Sequence, residues 1–408
     1  MRRIIGFIFY SIFPLLVMAE RLTPYVNPFV GTDGYGNVYP GAQIPFGGIQ
    51  ISPDTDADFY DAASGYKYSH STLMGFSLTH LSGTGIPDLG DFLFVPGAGE
   101  IKSVPGTHDE PEKGYRSHYS HDKEWASPGY YGVELIDYGV KAEMTAASRS
   151  GFFRFTYPKS DQAFILIDMN HTLWQSCPWA NLRQINDSTL VGYKLVKGWG
   201  PERHVYFAAT FSCKLNNFQI LQNGKPVIYD TKRFRSHLEA WGEKLMACVR
   251  FETQANQEIY VKTAISGVST EGALRNLQEL NGFDFDRTRE AADRLWEKEL
   301  SKFQVKGDLK TKQTFYTSAY HAALHPFIFQ DVDGMYRGLD KNIEKAENFT
   351  NYTTFSLWDT YRAFHPLLNL INQPLQADIA NSMLAHYDKS VEHMLPIWSF
   401  YGNETWCM

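Results

Sequence analysis

The sequence predicts an antiparallel β-sandwich followed by an all-α region, on three observations. Apolar residues alternate with a period of two from about residue 24 to 265, Gly- and Pro-rich breaks separate those runs, and after about residue 268 the apolar period lengthens to three and four. Strands first and helices afterwards read as two differently built parts of one chain. The chain has 408 residues, of which 43% are hydrophobic and 15% aromatic. That much apolar surface supports a sizeable core, which disordered chains lack.

The first element is an address. Met1-Arg2-Arg3 is a short positive region, the stretch from Ile4 to Met18 is apolar, and Val17 and Ala19 supply the small residues of a cleavage site before Glu20. Residues 1–19 therefore read as a secretory signal peptide, since a stretch of fifteen residues falls short of the roughly 20 needed to span a bilayer. No stable membrane insertion is expected after cleavage, and the expected location is secreted, in the periplasm. The sandwich is assigned to residues 20–268. Its strands are carried by Phe153, Phe155 and Tyr157 alternating with Arg154 and Thr156, by Val205, Phe207, Ala209 and Phe211, and by Ile259 and Val261. Residues 27–100 hold 13 of the 32 glycines, including Gly31-Thr-Asp-Gly-Tyr-Gly36 and Ser82-Gly-Thr-Gly85. Such loops are either a binding rim or hairpin turns.

The helical part opens with a linker over residues 269–308, where Ala291, Ala292, Leu295, Trp296, Leu300 and Phe303 form an amphipathic pattern. From residue 309 to 408 a second helix carries Phe315, Tyr316, Ala319, Tyr320, Ala323 and Leu324 and ends at Pro326. A third runs from Ser356 toward Leu370, and a fourth starts beside Pro374 with Leu375, Ile379, Met383, Tyr387 and Val391 on one face. About thirty residues without a clear period separate the second and third helices, and a loop of that length is more often functional than incidental. The ending WSFYGNETWCM carries no helix stop or polar tail, so the chain reads as interrupted inside an element.

Charge and cysteine content exclude several classes. With 38 Lys+Arg against 45 Asp+Glu the formal charge is −7, and no basic stripe offers a nucleic-acid footprint. Cys177, Cys213, Cys248 and Cys407 are too few for a disulfide scaffold and lack zinc-site spacing, so they read as buried thiols. There is no phosphate loop, no H-E-x-x-H and no Gly-x-Ser-x-Gly elbow.

The residues that read as chemistry cluster at Ser356-Leu-Trp-Asp-Thr-Tyr-Arg362. Trp358, Asp359 and Arg362 join a flat apolar face, a carboxylate and a five-donor fork, which suits a sugar. Equally, Ser356 and Asp359 match a Ser-x-x-Asp capping box. Asp331-Val-Asp-Gly334 lacks the remaining ligands of a calcium loop and reads as a turn. His70, His80, His321 and His325 read as structural histidines. Glu404 beside Trp406 is either a carboxylate with a raised pKa or an ordinary polar contact.

Seven ordered blocks resemble glycoside hydrolase family 92, the exo-acting α-mannosidases. They are Tyr25-Val-Asn-Pro-Phe-Val-Gly-Thr-Asp33, Pro40-Gly-Ala-Gln-Ile-Pro-Phe-Gly-Gly48, Gly75-Phe-Ser-Leu-Thr-His-Leu-Ser-Gly-Thr-Gly85, Ser127-Pro-Gly-Tyr-Tyr131, Asp331-Val-Asp-Gly334, Ser356-Leu-Trp-Asp-Thr-Tyr-Arg362 and Gly402-Asn-Glu-Thr405. The resemblance implies that the region after the sandwich is the start of an (α/α)6 catalytic barrel, incomplete here. It also implies inverting, calcium-dependent release of terminal α-linked mannose from glycans, an α-1,2-mannosidase in expectation. The substrate site implied is Trp358, Asp359 and Arg362 from the barrel, with His80, Ser82 and Gly83 from the sandwich and Glu404 nearby. The acid, the base and most calcium ligands are expected beyond Met408, so this chain alone is expected to be an inactive N-terminal portion. A non-catalytic mannose-binding module, or another (α/α)6 enzyme such as a disaccharide phosphorylase, is the alternative.

Overall fold

The structure, a computed structural model, describes residues 20–57, 62–228 and 239–405; residues 1–19, read as a signal peptide, and Cys407 lie outside the described residues. Among these residues, two large antiparallel sheets form the first part. The smaller runs in the order Ser52–Asp54, Gly75–Ser77, Leu93–Ala98, Ser160–Asp168, Leu245–Thr253, Asn217–Gln222, Lys225–Pro226. The larger runs Glu239–Gly242, Ser176–Asn186, Thr189–Lys197, Arg203–Phe211, Gln257–Ser266, Ser150–Tyr157, Val140–Ala146, Tyr130–Leu135, Glu124–Ser127.

Period-two alternation sends one side chain in two toward the facing sheet. Phe153, Phe155, Phe207, Ala209 and Val261 of the larger sheet meet Phe94, Ile165, Ile167, Ala247 and Val249 of the smaller in one buried core. Ring contacts close the layer, with Phe94 on Phe153 at 4.9 Å and Phe92 on Phe207 at 4.6 Å. Burying this apolar layer stabilises the sandwich at about 25 cal/mol per Å² removed from water. Intervening positions on the outer face are not all polar. Val191, Ala208 and Ala264 are covered by Ala273 and Leu277.

The helices are α1 (Thr270–Asn276), α2 (Phe285–Leu300), α3 (Leu309–Ala322), α4 (Leu357–Thr360), α5 (Phe364–Ile371) and α6 (Gln373–Lys389). Ser269, Asp284 and Asp308 cap the first three, each accepting a first-turn backbone N–H. Ala292, Trp296 and Leu300 of α2 are buried as the pattern requires, whereas Leu295 is exposed. Two expectations need correcting. The third helix is broken into α4 and α5 around residues 361–363, and the region is not purely helical. Short strands Phe327–Ile328, Met335–Arg337, Ile343–Lys345, Tyr352–Thr353, Phe355–Ser356, Trp398–Phe400 and Asn403–Thr405 fill the stretch read as a loop and the end of the described chain. Strands of two or three residues are too short to show a period, which is why the sequence reads there as irregular.

The two parts are joined by hydrogen bonds to backbone carbonyls. Phe46 N–H donates to Ala323 O (2.9 Å), Ile328 N–H to Phe46 O (3.1 Å), and Trp296 Nε1–H to Gln43 O (2.6 Å). A Cβ on Gly48 would lie 2.6 Å from Ile328 O, so only glycine permits this approach. Asp331-Val-Asp-Gly334 is a turn, with Gly334 N–H donating to Asp331 O (2.9 Å), as expected. Asp331 itself is buried and accepts from Ser266 Oγ (2.8 Å) and Asn276 Nδ2 (2.8 Å). Of the cysteines, Cys177, Cys213 and Cys248 are free thiols; only Cys248 is fully buried, and the other two are half-buried, against the expectation of burial for all. No described helix is long and apolar enough to cross a membrane.

Candidate functional site

A cleft of about 620 Å³, within the size range of small-molecule sites, opens where the sandwich meets the helical part. One wall is the glycine loop of the sandwich, including Ser82 and Gly83. The other is the entry to α4, including Thr354, Trp358 and Asp359, with His321, His325 and Trp398 also lining it.

The loop's base is pinched by the chain's own hydrogen bonds. Leu78 N–H donates to Asp91 O (2.8 Å), Gly90 N–H to Thr79 O (2.8 Å), and Thr79 Oγ1 to Asp91 Oδ2 (2.7 Å). Beneath it lies a buried ion cluster. Asp91 takes Lys194 Nζ at 2.9 Å and is hydrogen-bonded by Arg203 Nη1, while Asp88 faces Arg203 Nη2 at 3.4 Å and accepts Trp199 N–H at 2.9 Å. Burial disfavours the Asp91 charge, yet Arg203 and Lys194 hold its carboxyl well below the usual carboxylate range. Burial pushes the Asp88 carboxyl up, with Arg203 opposing. At the loop's tip Gly83 has φ +75° and donates its N–H to Asn37 O (2.7 Å), a left-handed turn conformation that favours glycine.

On the facing wall Ser356 caps α4, its Oγ accepting Asp359 N–H at 3.4 Å. A complete capping box would return the acid's carboxylate to the Ser356 N–H. Among the described residues no protein donor reaches the Asp359 carboxylate, which is exposed at the cleft. Trp358 is 54% exposed, and the Arg362 guanidinium sits 4.6 Å over its ring. Thr354 is backed onto Ser399 O through its N–H (2.8 Å) at φ +65°, unusual for a β-branched residue, and its buried Oγ1 has no protein partner among the described residues. Burial pushes the His325 imidazole down to about 3 and also lowers His321, so both stay neutral in neutral water.

The structure thus brings Ser82, Gly83, Trp358 and Asp359 to one cleft. Arg362 is beside it, reaching it through Trp358 and not as part of the lining. His80 lies inside the sandwich, fully buried, with Nε2 2.8 Å from Asp54 Oδ1 and Nδ1 2.9 Å from Gln50 O. His171 Nε2 holds the other Asp54 oxygen at 2.8 Å. Despite burial, these two histidines keep the Asp54 carboxyl well below its usual range. Glu404 is half-buried on the strand Asn403–Thr405, opposite Ser399, and does not line the cleft. Sequence reasoning missed Thr354 and Trp398. Positive φ at a threonine leaves no mark in the sequence, while Trp398 stood in the aromatic ending and could have been weighed there.

Calcium takes six to eight oxygen ligands, several of them carboxylates. Among the described residues the cleft offers one carboxylate, Asp359, so this donor set does not make a calcium cage.

Sequence models of glycosyl hydrolase family 92 match the chain, the N-terminal domain over residues 25–266 and the catalytic domain over residues 272–408. An uncharacterized secreted glycosidase of Arthroderma benhamiae is 25% identical over 365 residues, covering 83% of this chain and 45% of that protein. A family GH92 α-mannosidase of Bacteroides thetaiotaomicron is 76% identical, with a TM-score of 0.93 over 95% of this chain and 52% of its own. Its complex with mannoimidazole matches with the same score over 95% and 51%. A GH92 inverting mannosidase from the same organism is 24% identical, with a TM-score of 0.80 over 95% and 51%. The chain spans about half the length of these relatives, and it belongs to glycosyl hydrolase family 92.

Proposed function

We propose that this chain carries the sugar-holding wall of a secreted, periplasmic α-mannosidase that removes terminal α-1,2-linked mannose with inversion and with calcium. The observation that carries the reading is the meeting of the glycine loop with Trp358 and Asp359 across one cleft. Trp358 offers an apolar face for the C–H side of a pyranose, and Asp359 accepts hydrogen bonds from two hydroxyls without first breaking a protein bond. Ser82 supplies a further hydroxyl from the opposite wall, and Arg362 acts as a positioning residue by holding the Trp358 ring. The neutral imidazoles of His321 and His325 add polar atoms at the cleft without charge. Support for mannose comes from the 76% identical relative described as an α-mannosidase and from its mannoimidazole complex.

Inverting hydrolysis needs one carboxylic acid on the leaving oxygen and a second carboxylate about 6.5–9.5 Å away to activate water. The described cleft holds Asp359 alone, so we assign it to binding and assign no step to calcium. The 408-residue chain is then expected to bind mannose without releasing it. Titration calorimetry with α-1,2-mannobiose, followed by an assay for free mannose with and without calcium, tests this. Binding lost in Asp359→Asn and in Trp358→Ala, with no mannose released, is the expected result. Turnover by the 408-residue chain, or binding unchanged in both variants, overturns it.

A further inference from the structure

Away from the cleft, on the sandwich, Asp56, His70 and His108 bring one carboxylate oxygen and two imidazole nitrogens within 4.8 Å of one another. Among the described residues this is the one group of three or more His, Cys, Asp or Glu side chains so placed. We propose that it is a binding site for a borderline divalent transition-metal ion of the zinc type, separate from any calcium used in hydrolysis.

The ligand set is already oriented. The Asp56 Oδ1 atom accepts Ala57 N–H at 2.7 Å, which turns Oδ2 toward His108 Nε2 at 2.9 Å. The two imidazole rings lie 4.2 Å apart at 53°. Each ring is steered through Nδ1 by a fully buried threonine hydroxyl, His108 by Thr72 at 2.9 Å and His70 by Thr55 at 3.0 Å. Arg116 in turn donates to Thr72 Oγ1 (3.4 Å) and to the Thr55 carbonyl. Metal-binding histidines are held in this way, with the non-ligating nitrogen on an outer hydrogen-bond partner.

Chemistry selects the ion. Two imidazoles and one carboxylate suit zinc, nickel or copper, whereas calcium and magnesium demand oxygen ligands. Tetrahedral zinc–ligand bonds of about 2.0–2.2 Å set neighbouring ligand atoms about 3.4 Å apart, so His108 Nε2 and Asp56 Oδ2 open from their 2.9 Å contact as the ion enters between them. His108 exposes 32% of its side chain and Asp56 17%, so the ion and a completing water can enter. When His108 binds through Nε2, its ring proton sits on Nδ1, where the Thr72 oxygen accepts it. The Asp56 carboxylate exchanges its contact with the His108 ring for the metal.

The test uses the 408-residue chain stripped with a chelator and titrated calorimetrically with zinc chloride and, separately, calcium chloride. One zinc per chain is expected, weakened at least about tenfold in His108→Ala and in Asp56→Asn, by about 10–100-fold in Thr72→Val, and unchanged in His393→Ala, an exposed histidine of the helical part. Substitution with cobalt should give visible absorption bands that Asp56→Asn alters. If His108→Ala fails to fold by circular dichroism, Asp56→Asn, which nearly preserves shape, decides alone. Zinc affinity unchanged in Asp56→Asn, calcium binding at this site in preference to zinc, or no zinc retained by the wild-type chain overturns the proposal.

Discussion

Replacing Arg203 by methionine tests whether the buried ion cluster holds up the rim of the cleft. Arg203, Lys194 and Asp91 have no solvent exposure, and Arg203 serves both Asp88 and Asp91. Removing one member of a buried ion group costs about 3–5 kcal/mol because a charge is left without its partner. Here Asp91 would keep Lys194 at 2.9 Å, and Asp88 would keep the backbone N–H groups of Leu89 (2.6 Å) and Trp199 (2.9 Å). The lower end, about 3 kcal/mol, is therefore expected. The assay is urea unfolding followed by tryptophan fluorescence. The stranded carboxylates gain protons more readily in the folded variant than in its unfolded chain. The variant's stability should accordingly fall as pH rises above about 4, and its deficit against wild type should shrink toward that pH. Adding Asp88→Asn should return about 1–2 kcal/mol, since the two sites interact directly. A loss below about 1 kcal/mol, or no recovery in the double variant, would refute the reasoning.

Two further outcomes follow from buried groups around the cleft and junction. Burial pushes the Asp331 carboxyl up to about 6 from an ordinary value of 3.8. Between those values the folded chain binds a proton that the unfolded chain does not, so stability falls as pH rises from about 4 to 6, by about 3 kcal/mol in all. Asp331→Asn should flatten that window, as read from unfolding midpoints at several pH values, and an unchanged pH profile would count against the assignment. Thr354→Gly should stabilise the protein by about 1 kcal/mol, because relief of a left-handed β-branched residue and an unpartnered hydroxyl exceeds the entropy cost of glycine. Destabilisation in chemical denaturation would show that the strain reading is mistaken.

What was legible in the sequence is what repeats locally. Phe153, Phe155 and Tyr157 announce their strand because each neighbour in the pattern faces the same core, and Trp296 with Leu300 does the same for α2. The chemistry-bearing cluster at residues 356–362 was legible as two open readings, a cap or a sugar contact. The structure contains half of the capping box, with the serine cap made and the reciprocal carboxylate bond absent. Arg203, Lys194, Asp88 and Asp91 were not legible, since their partners lie roughly one hundred residues apart, from Asp91 to Lys194 and Arg203. A long-range ion cluster has no period and no motif. His80 stands in a family block, yet its packing against Asp54 and Gln50 depends on strands whose pairing only the fold reveals.

These buried groups bear on how the cleft can be built at all. A cleft shared by a sheet domain and a helix terminus requires the two walls to stay in register to a fraction of an ångström, and loops alone do not supply that. Here the sandwich sends residues 43–48 into the helical part, where Gln43 Nε2 donates to Leu324 O at 2.8 Å and Phe46 packs in the same core as Trp296, Tyr320 and Phe355. Leu81 and Leu89, which bracket the glycine loop, pack with Phe327, Phe329, Phe400 and Tyr401. Tyr401 also lies 5.7 Å from the Arg203 guanidinium. The rim loop is therefore clamped by charge from below and by aromatic packing from the opposite wall. Loss of Arg203 is therefore expected to loosen the rim from beneath, although no atom of Arg203 lines the cleft.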